Sequence, residues 1–246
     1  MIGTLRSELL KLRSTRTTLL LFVTMVALVA LVVAMHVLAP SAASLATRSM
    51  QLRVFQVGSG IGMLFAGLVG AISITAELRY GTIRPTFLVS PRRGPVIAAK
   101  LVVGLLTGII FGLLSQGIMA AAATAAFSAR GVVNTLGTGD YVQILLGGAA
   151  AAPLWSAIGL GIGAVVRNQI GAIVGLCAWA LLVESIVVGF VPSFGRFLPG
   201  ASGLALAGLN DNGKLLGPAA GVLVLAGYAV ITAAAGWAMT VRRDVA

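Results

Sequence analysis

Six long stretches with almost no charged side chain limit what this 246-residue chain can fold into. A helix needs about 20 mostly apolar residues to cross the hydrocarbon layer of a membrane. Charged residues make up only 9% of the chain, against about 25% of an average soluble domain, so they cannot cover a water-exposed surface. We therefore predict an all-α polytopic membrane protein, one domain over 1–246 with six transmembrane helices. The predicted spans are 17–38, 54–76, 101–127, 142–166, 169–191 and 217–240.

The basic residues are distributed unevenly between the two sides that six spans define. Twelve of the 17 Lys and Arg residues lie on the side of the two termini, and five lie on the other side. Because cytoplasmic segments carry the excess of basic residues, both termini are predicted to be cytoplasmic. Arg outnumbers Lys by 14 to 3 in an Ala-, Gly- and Val-rich chain, which is typical of a GC-rich bacterial genome. We therefore expect a bacterial plasma membrane. The positive charges are divided among four segments, which argues against nucleic-acid binding.

Glycines recur four residues apart within three of the predicted spans. In lipid the hydrophobic force between helices is weak, and small residues let helix backbones approach closely. We expect these glycines to pack helices of the same chain together, and a dimer interface is the alternative. They are Gly104, Gly108 and Gly112 in the third span, Gly159 and Gly163 in the fourth, and Gly171 and Gly175 in the fifth.

The N-terminal segment 1–16 has the pattern of an amphipathic helix. Its apolar residues follow each other at spacings of three, four and three, while basic residues occupy the other faces. Such a helix lies flat in the membrane interface. It acts either as a basic leader that sets the topology or as a surface that also contacts a cytoplasmic partner. The apolar residues are Ile2, Leu5, Leu9 and Leu12.

The segment 77–100, between the second and third spans, is one of two connections long enough to do more than turn the chain. Glu77 ends the second span next to Arg79, with which it can pair, and Gly81 permits a turn. Apolar residues ringed by arginines follow. This knob suits a hydrophobic groove on a partner protein, and an interfacial loop that binds anionic lipid headgroups is the alternative. The apolar residues are Ile83, Phe87 and Leu88.

Residues for catalysis or nucleotide binding are missing from the sequence. A phosphate-binding P-loop needs a Lys followed by Ser or Thr, whereas Lys11, Lys100 and Lys214 are each followed by Leu. The chain has one His and one Cys, and no motif of a hydrolase or metalloenzyme. We therefore predict no catalytic, cofactor-binding or metal residue. If ATP drives this protein, another polypeptide hydrolyses it.

Glu184 is the only Asp, Glu, Lys or Arg residue inside a predicted span. A carboxylate at the centre of a membrane helix costs about 2.5 to 3.5 kcal/mol on insertion scales, so it normally faces protein or water. Three roles stay open for Glu184: a buried anchor for the turn into the outer segment, part of a substrate or gating path, or a proton relay.

Three stretches resemble the type-2 ATP-binding-cassette (ABC) permeases of bacteria. They are the segment from Ser73 to Lys100, the leader L-R-S-E-L-L-K-L-R-S-T-R, and V-E-S-I-V-V-G-F-V-P followed by R-F-L-P-G-A-S. The resemblance implies an elbow helix at 1–16, a cytoplasmic coupling loop at 77–100 and an outer re-entrant hairpin at 192–216. In the elbow helix it points to Glu8, Lys11 and Arg13. In the loop it implies docking on the ATPase through Glu77, Arg79, Gly81, Thr82, Ile83, Arg84, Phe87 and Leu88.

We therefore predict the membrane-spanning permease subunit of an ATP-driven exporter. The expected partners are two separate ABC ATPase subunits, which carry ATP and magnesium, a second identical or similar permease, and membrane lipid. The alternatives are an ion-coupled secondary transporter or channel that works without an ATPase, and a structural subunit of a membrane assembly. The cargo stays open among drugs, lipids, peptide antibiotics and glycans.

Overall fold

The computed structural model describes residues 2–82, 93–210 and 213–242, with the side chains of residues 2, 13, 14, 93 and 242 left out. Its first part contains a helix at the N-terminus, a first long helix that ends in a π-helical turn (Ala34–Leu38), a short helix and a second long helix. These are α1 (Ile2–Ser14), α2 (Arg16–Val33), α3 (Ala42–Leu45) and α4 (Arg48–Arg79).

The rest of the described chain consists of helices and the connections between them. A π-helical turn (Trp179–Val183) joins two of the helices. In order they are α5 (Arg93–Ala129), α6 (Thr138–Val166), α7 (Gln169–Ala178), α8 (Glu184–Phe190), α9 (Pro192–Gly195), α10 (Pro199–Leu206) and α11 (Pro218–Arg242).

Six helices among the described residues are long and apolar enough to cross a membrane. They begin with α2, α4, α5 and α6, then the continuous α7–α8 unit, and finally α11. Each one overlaps a stretch predicted from the sequence, so the all-α, six-span architecture is confirmed.

The fourth span, α6, lies at the centre of the bundle. It packs against α4, α5 and α11, and α4 packs against α5. The second, third and fourth spans therefore form the interior. Only 17% of the first span's most apolar window, 11% of the fifth's and 22% of the sixth's is buried inside the chain, so these three spans lie at the periphery.

Glycine contacts explain how the central helices approach each other. A Cβ on Gly159 would overlap the backbone carbonyl of Gly67, and one on Gly108 would lie 2.8 Å from the backbone nitrogen of Pro153. The expectation that glycines pack helices of one chain together is confirmed for the third and fourth spans. Gly175 in the fifth span has no atom within 4 Å of the Cβ position, so its face is unoccupied by described residues.

The helices on either side of the segment predicted as the loop 77–100 are longer than the sequence suggested. The second span continues to Arg79 and the third begins at Arg93, so Glu77 and Lys100 both belong to helices. Gly81 ends the second span with a φ of 70°, a conformation that glycine adopts at little cost. The spans were predicted to stop at charges, but these charges are paired, as described below.

The segment 192–216, predicted to be re-entrant, contains two short helices, α9 and α10. Each begins with a proline at its first turn, where the missing N–H has no helical partner to lose. α10 packs against α4, α6 and α11 and buries most of its side chains. It thus fills the end of the bundle opposite α1.

Polar contacts hold the connections at that opposite end. Arg48 pairs with Asp140, with Nη2 2.6 Å from Oδ1. Gln51, which is fully buried, donates to the carbonyls of Leu45 and Val133 at 3.0 and 2.9 Å and accepts from the amide and hydroxyl of Thr135. The connection between α2 and α4 and the one between α5 and α6 are therefore joined through a single amide side chain.

Candidate functional site

Four charged side chains meet where α1 crosses the ends of α4 and α5. The Lys100 ammonium donates to Glu8 Oε2 at 2.8 Å and to Glu77 Oε1 at 2.7 Å. Lys11 donates to Glu8 Oε1 at 2.7 Å and to Glu77 Oε1 at 2.6 Å. We call these four residues the charge cluster.

The members of the charge cluster come from three helices. Glu8 and Lys11 are three residues apart and share a face of α1. Glu77 lies in the last turn of α4, and Lys100 lies two turns into α5. The cluster therefore joins the N-terminal helix to both helices that lead into the segment 80–92.

Burial makes the pairing in the charge cluster necessary. Glu8, Glu77 and Lys100 expose only 5%, 7% and 3% of their surface, and an unpaired charge there would cost several kcal/mol. The two carboxylates and two ammonium groups balance in charge. Lys100 also donates to the backbone carbonyl of Ser73 at 3.2 Å, which uses its third N–H.

Lys11 is the most exposed member and lies outside the spans. Burial acts to lower the pKa of Lys11, but the hydrogen bonds to Glu77 and Glu8 outweigh it, so the pKa lies above its ordinary value of 10.5. Lys11 therefore stays protonated at physiological pH and keeps its charge in the cluster.

The structure differs from the sequence-based expectation at Arg79, near the cluster. Arg79 is not the partner of Glu77; it donates to Gln169 Oε1 at 3.3 Å and lies over the ring of Tyr80. On α1 the residue buried against the bundle is Glu8, while Leu9 is 43% exposed. Leu12, another member of the apolar stripe, packs partly buried against a core cluster that contains Met25 and Phe65, so only part of the stripe faces protein.

Part of the predicted coupling element can be located in the structure. Gly81 forms the turn after α4, and Thr82 follows it at an exposed position. Arg13 has a described backbone only. The remaining coupling residues fall outside the described part of the chain: Ile83, Arg84, Phe87 and Leu88.

The sequence reasoning missed the role of Lys100, which it counted only as a basic residue that sets topology. A usable signal existed: an acid ends the span before the loop, a lysine begins the span after it, and a further acid and lysine lie in the N-terminal helix. Opposite charges at the ends of apolar stretches indicate mutual burial as well as topology.

Glu184 lies at the opposite end of the bundle, in the first turn of α8. It is 5% exposed, and its Oε1 accepts the amide N–H of Ala201 at 2.7 Å, at the beginning of α10. Its Oε2 is buried without a hydrogen-bond partner among the described residues. Gly200 leaves room for the carboxylate, because a Cβ there would lie 2.7 Å from Oε1.

The π-helical turn before α8 explains why Glu184 faces inward. Ala172 and Leu176 mark the buried face of the fifth span. In an uninterrupted α-helix, Glu184 would lie about 80° away from Leu176, because eight residues at about 100° each turn the helix by about 800°. The π turn absorbs one extra residue and returns Glu184 to within about 20° of that face.

No group of three or more histidine, cysteine or carboxylate side chains that could hold a metal lies within the described parts of the chain. Among the described residues, buried ionisable side chains form the charge cluster at one end of the bundle and include Glu184 at the other. Together with the six spans they define a multi-pass membrane protein whose ionisable groups are concentrated at helix ends.

Comparison with known proteins identifies the family. The family described as "ABC-2 family transporter protein" matches residues 4–184, which is most of the chain. The chain therefore belongs to the ABC-2 transporter family and is a permease of the ABC-2 type. No curated protein matches it significantly. The matched range begins within α1 and ends at Glu184, so it contains the entire charge cluster.

Proposed function

We propose that this chain is the membrane-spanning permease subunit of an ATP-driven exporter in a bacterial plasma membrane. Both termini and the charge cluster lie on the cytoplasmic side, and a separate ABC ATPase supplies ATP hydrolysis with its magnesium ion. Two ATPase subunits serve two permease subunits. ABC-2 family membership supports this division of labour, because the family is the transmembrane component of such transporters.

The charge cluster is the observation that carries the coupling half of the proposal. The ATPase docks on the segment 80–92, and a force on this segment reaches the bundle through the two helices that flank it. Glu77 and Lys100 bind those helices to each other, and Glu8 binds α1 to Lys100. Separating any of these pairs would leave a charge buried and unpaired, so the three helices move together.

Docking changes transport only if the ATPase binds one arrangement of the permease more tightly than the other. ATP-driven closure of the two ATPase subunits then shifts the population between inward-open and outward-open arrangements. A shift from 1:99 to 99:1 needs about 5.5 kcal/mol of differential binding, which a docking segment at the end of two rigid helices can transmit.

Pairing of two permeases is part of the same proposal. The fifth span exposes a face with Gly175, at which a Cβ would have no neighbour within 4 Å. A second copy or a similar chain packs against such a face by close backbone approach.

Copurification tests the proposal directly. The tagged full-length chain is extracted from its native membrane, and an ABC ATPase is expected to copurify in about equal amount and to hydrolyse ATP. Arg84→Glu, in the docking segment, is expected to lose the ATPase. Arg196→Glu is the matched control, because Arg196 is an exposed arginine at the opposite end of the bundle.

Two results would overturn the proposal. One is transport driven by a proton gradient in proteoliposomes that contain this chain alone. The other is labelling of a cysteine placed at position 84 from outside intact cells, which would put the docking segment on the wrong side of the membrane.

A further inference from the structure

A cavity of about 520 Å³ opens at the end of the bundle opposite the charge cluster. It lies between α4, the π turn with α8, and α10, with Trp155 of α6 as an aromatic wall. We call it the far-end cavity. Its volume is within the range of about 300 to 1,000 Å³ in which small-molecule sites fall.

Among the described residues that line the far-end cavity, Glu184 is the only ionisable one; the others are apolar apart from Ser185. The Oε1 of Glu184 accepts the amide N–H of Ala201 at 2.7 Å, at the start of α10. The backbone of Gly200 and the side chain of Trp179 make smaller hydrogen-bonding contributions to the carboxyl group. Oε2 is buried and has no partner among the described residues. The hydrogen bond to α10 therefore accounts for the burial of Oε1, and Oε2 remains available to a ligand.

The missing counter-charge distinguishes this carboxylate from the one at the other end. A second cavity, about 380 Å³, adjoins the charge cluster, but its carboxylates already pair with Lys11 and Lys100. A cation entering there would compete with two ammonium groups. In the far-end cavity a cation would meet no competitor among the lining residues, and the last side-chain torsion of Glu184 is soft enough to present Oε2.

We propose that the far-end cavity binds a lipophilic monocation, an ammonium group on an apolar body, with Glu184 as its counter-ion. The apolar walls, with Trp155 as their aromatic part, hold the body of the ligand. The proposal deepens the export function by naming a class of cargo, and as a statement about cargo it rests on that function.

Direct binding to the full-length permease without ATPase tests the proposal. The probe is dansylcadaverine, a primary amine on a fluorescent apolar body, and its N-acetylated form is the neutral control. Energy transfer from tryptophan to the dansyl group reports binding. A hydrogen-bonded ion pair predicts that the amine binds about tenfold or more tightly than the acetylated form.

Glu184→Gln removes the charge while its amide oxygen can still accept from Ala201. This variant is expected to bind both probes equally. Asp140→Asn is the matched control, since it makes the same chemical change at a carboxylate outside the cavity and should preserve the tenfold preference. Thermal unfolding in the same detergent checks that both variants are folded.

A second pair of variants tests the cavity itself. Gly60 lines the cavity and has no atom within 4 Å of the Cβ position, so Gly60→Leu fills open space. The affinity for both probes is expected to fall by about tenfold or more, because the leucine side chain occupies space in the cavity and reduces the apolar contact between the probe and the cavity wall. Gly117 has an equally free Cβ position away from the cavity, and Gly117→Leu should change neither affinity.

The ammonium of phosphatidylethanolamine has the same chemistry as the probe, so the source of the natural ligand is tested separately. Phosphatidylethanolamine is added to nanodiscs of phosphatidylglycerol that contain the permease. If it lowers probe binding to the wild type but not to Glu184→Gln, the natural occupant is a lipid headgroup. No competition identifies a free amine. Equal affinity of the wild type for both probes, or an amine preference that persists in Glu184→Gln, overturns the proposal. An ATPase that copurifies while the amine preference is absent leaves the export function standing.

Discussion

Lys100→Met is the substitution that most sharply tests the charge cluster. Lys100 is 3% exposed and donates three hydrogen bonds, to Glu8, Glu77 and the carbonyl of Ser73. Methionine preserves much of the side-chain volume and none of the donors. The variant therefore leaves two buried carboxylates facing a single ammonium group, that of Lys11.

The magnitude follows from that imbalance. Removing one partner of a buried ion pair costs about 3 to 5 kcal/mol, because the remaining charge stays buried. Lys11 still pairs with one oxygen of each carboxylate, so we expect the lower part of that range, about 3 kcal/mol, in the free energy of unfolding. Adding Glu8→Gln restores neutrality and is expected to recover about 1 to 2 kcal/mol.

The measurement is unfolding of the full-length chain by SDS in mixed micelles, followed by tryptophan fluorescence. Lys214→Met is the control: the same substitution at an exposed lysine that is also followed by leucine, expected to change the free energy by less than about 0.5 kcal/mol. If Lys100→Met is as stable as Lys214→Met, or if the double variant is less stable than Lys100→Met, the charge cluster is not a buried, mutually neutralised unit.

Three further perturbations address other contacts. Gly159→Ala places a methyl group against the backbone carbonyl of Gly67. It should lower the free energy of unfolding by about 1 to 3 kcal/mol in the same SDS titration, whereas Gly175→Ala should not destabilise the chain. Gln51→Leu leaves two carbonyls and the two Thr135 donors without their hydrogen-bond partner, and we expect the free energy of unfolding to fall by about 3 kcal/mol. A decrease of less than about 1 kcal/mol would contradict the four hydrogen bonds. Because the pKa of Lys11 is raised, its stabilising contribution is complete below pH 10.5 and declines as pH rises through the folded-state pKa. Lys11→Met should therefore differ from wild type by a constant amount between about pH 6 and pH 9, and by less in more alkaline solution, when urea or SDS unfolding is measured across pH.

The sequence was sufficient to predict the number and order of the spans. Length and hydropathy determine membrane helices almost alone, since backbone groups in lipid must be bonded within the helix. The boundaries were less accurate where charges occur. The second and third spans extend past Glu77 and Lys100 because each charge finds an opposite charge on another helix, and such pairing depends on tertiary contacts.

The site residues show the same division between local and tertiary information. Gly81 was correctly read as a turn, because a positive φ is a local property of the residue. Pairing of Glu77 with Arg79 was wrong, because residues two apart on a helix point in different directions. The inward orientation of Glu184 depends on a π turn at Trp179–Val183, and the residue types in that turn do not predict a π-helical conformation.

Buried carboxylates lie at both ends of the bundle, and their surroundings differ. Glu77 is neutralised by the ammonium groups of Lys11 and Lys100, whereas no described ammonium or guanidinium group pairs with Glu184. A single helix, α4, bears Glu77 in its last turn and Gly60 on the wall of the far-end cavity, 17 residues or about 25 Å away. Because a packed helix moves as a rigid unit, a displacement of α4 at the charge cluster also displaces the cavity wall. Coupling between the ends therefore needs no relay of side chains, and a cation that binds Glu184 favours whichever position of α4 closes the cavity around it.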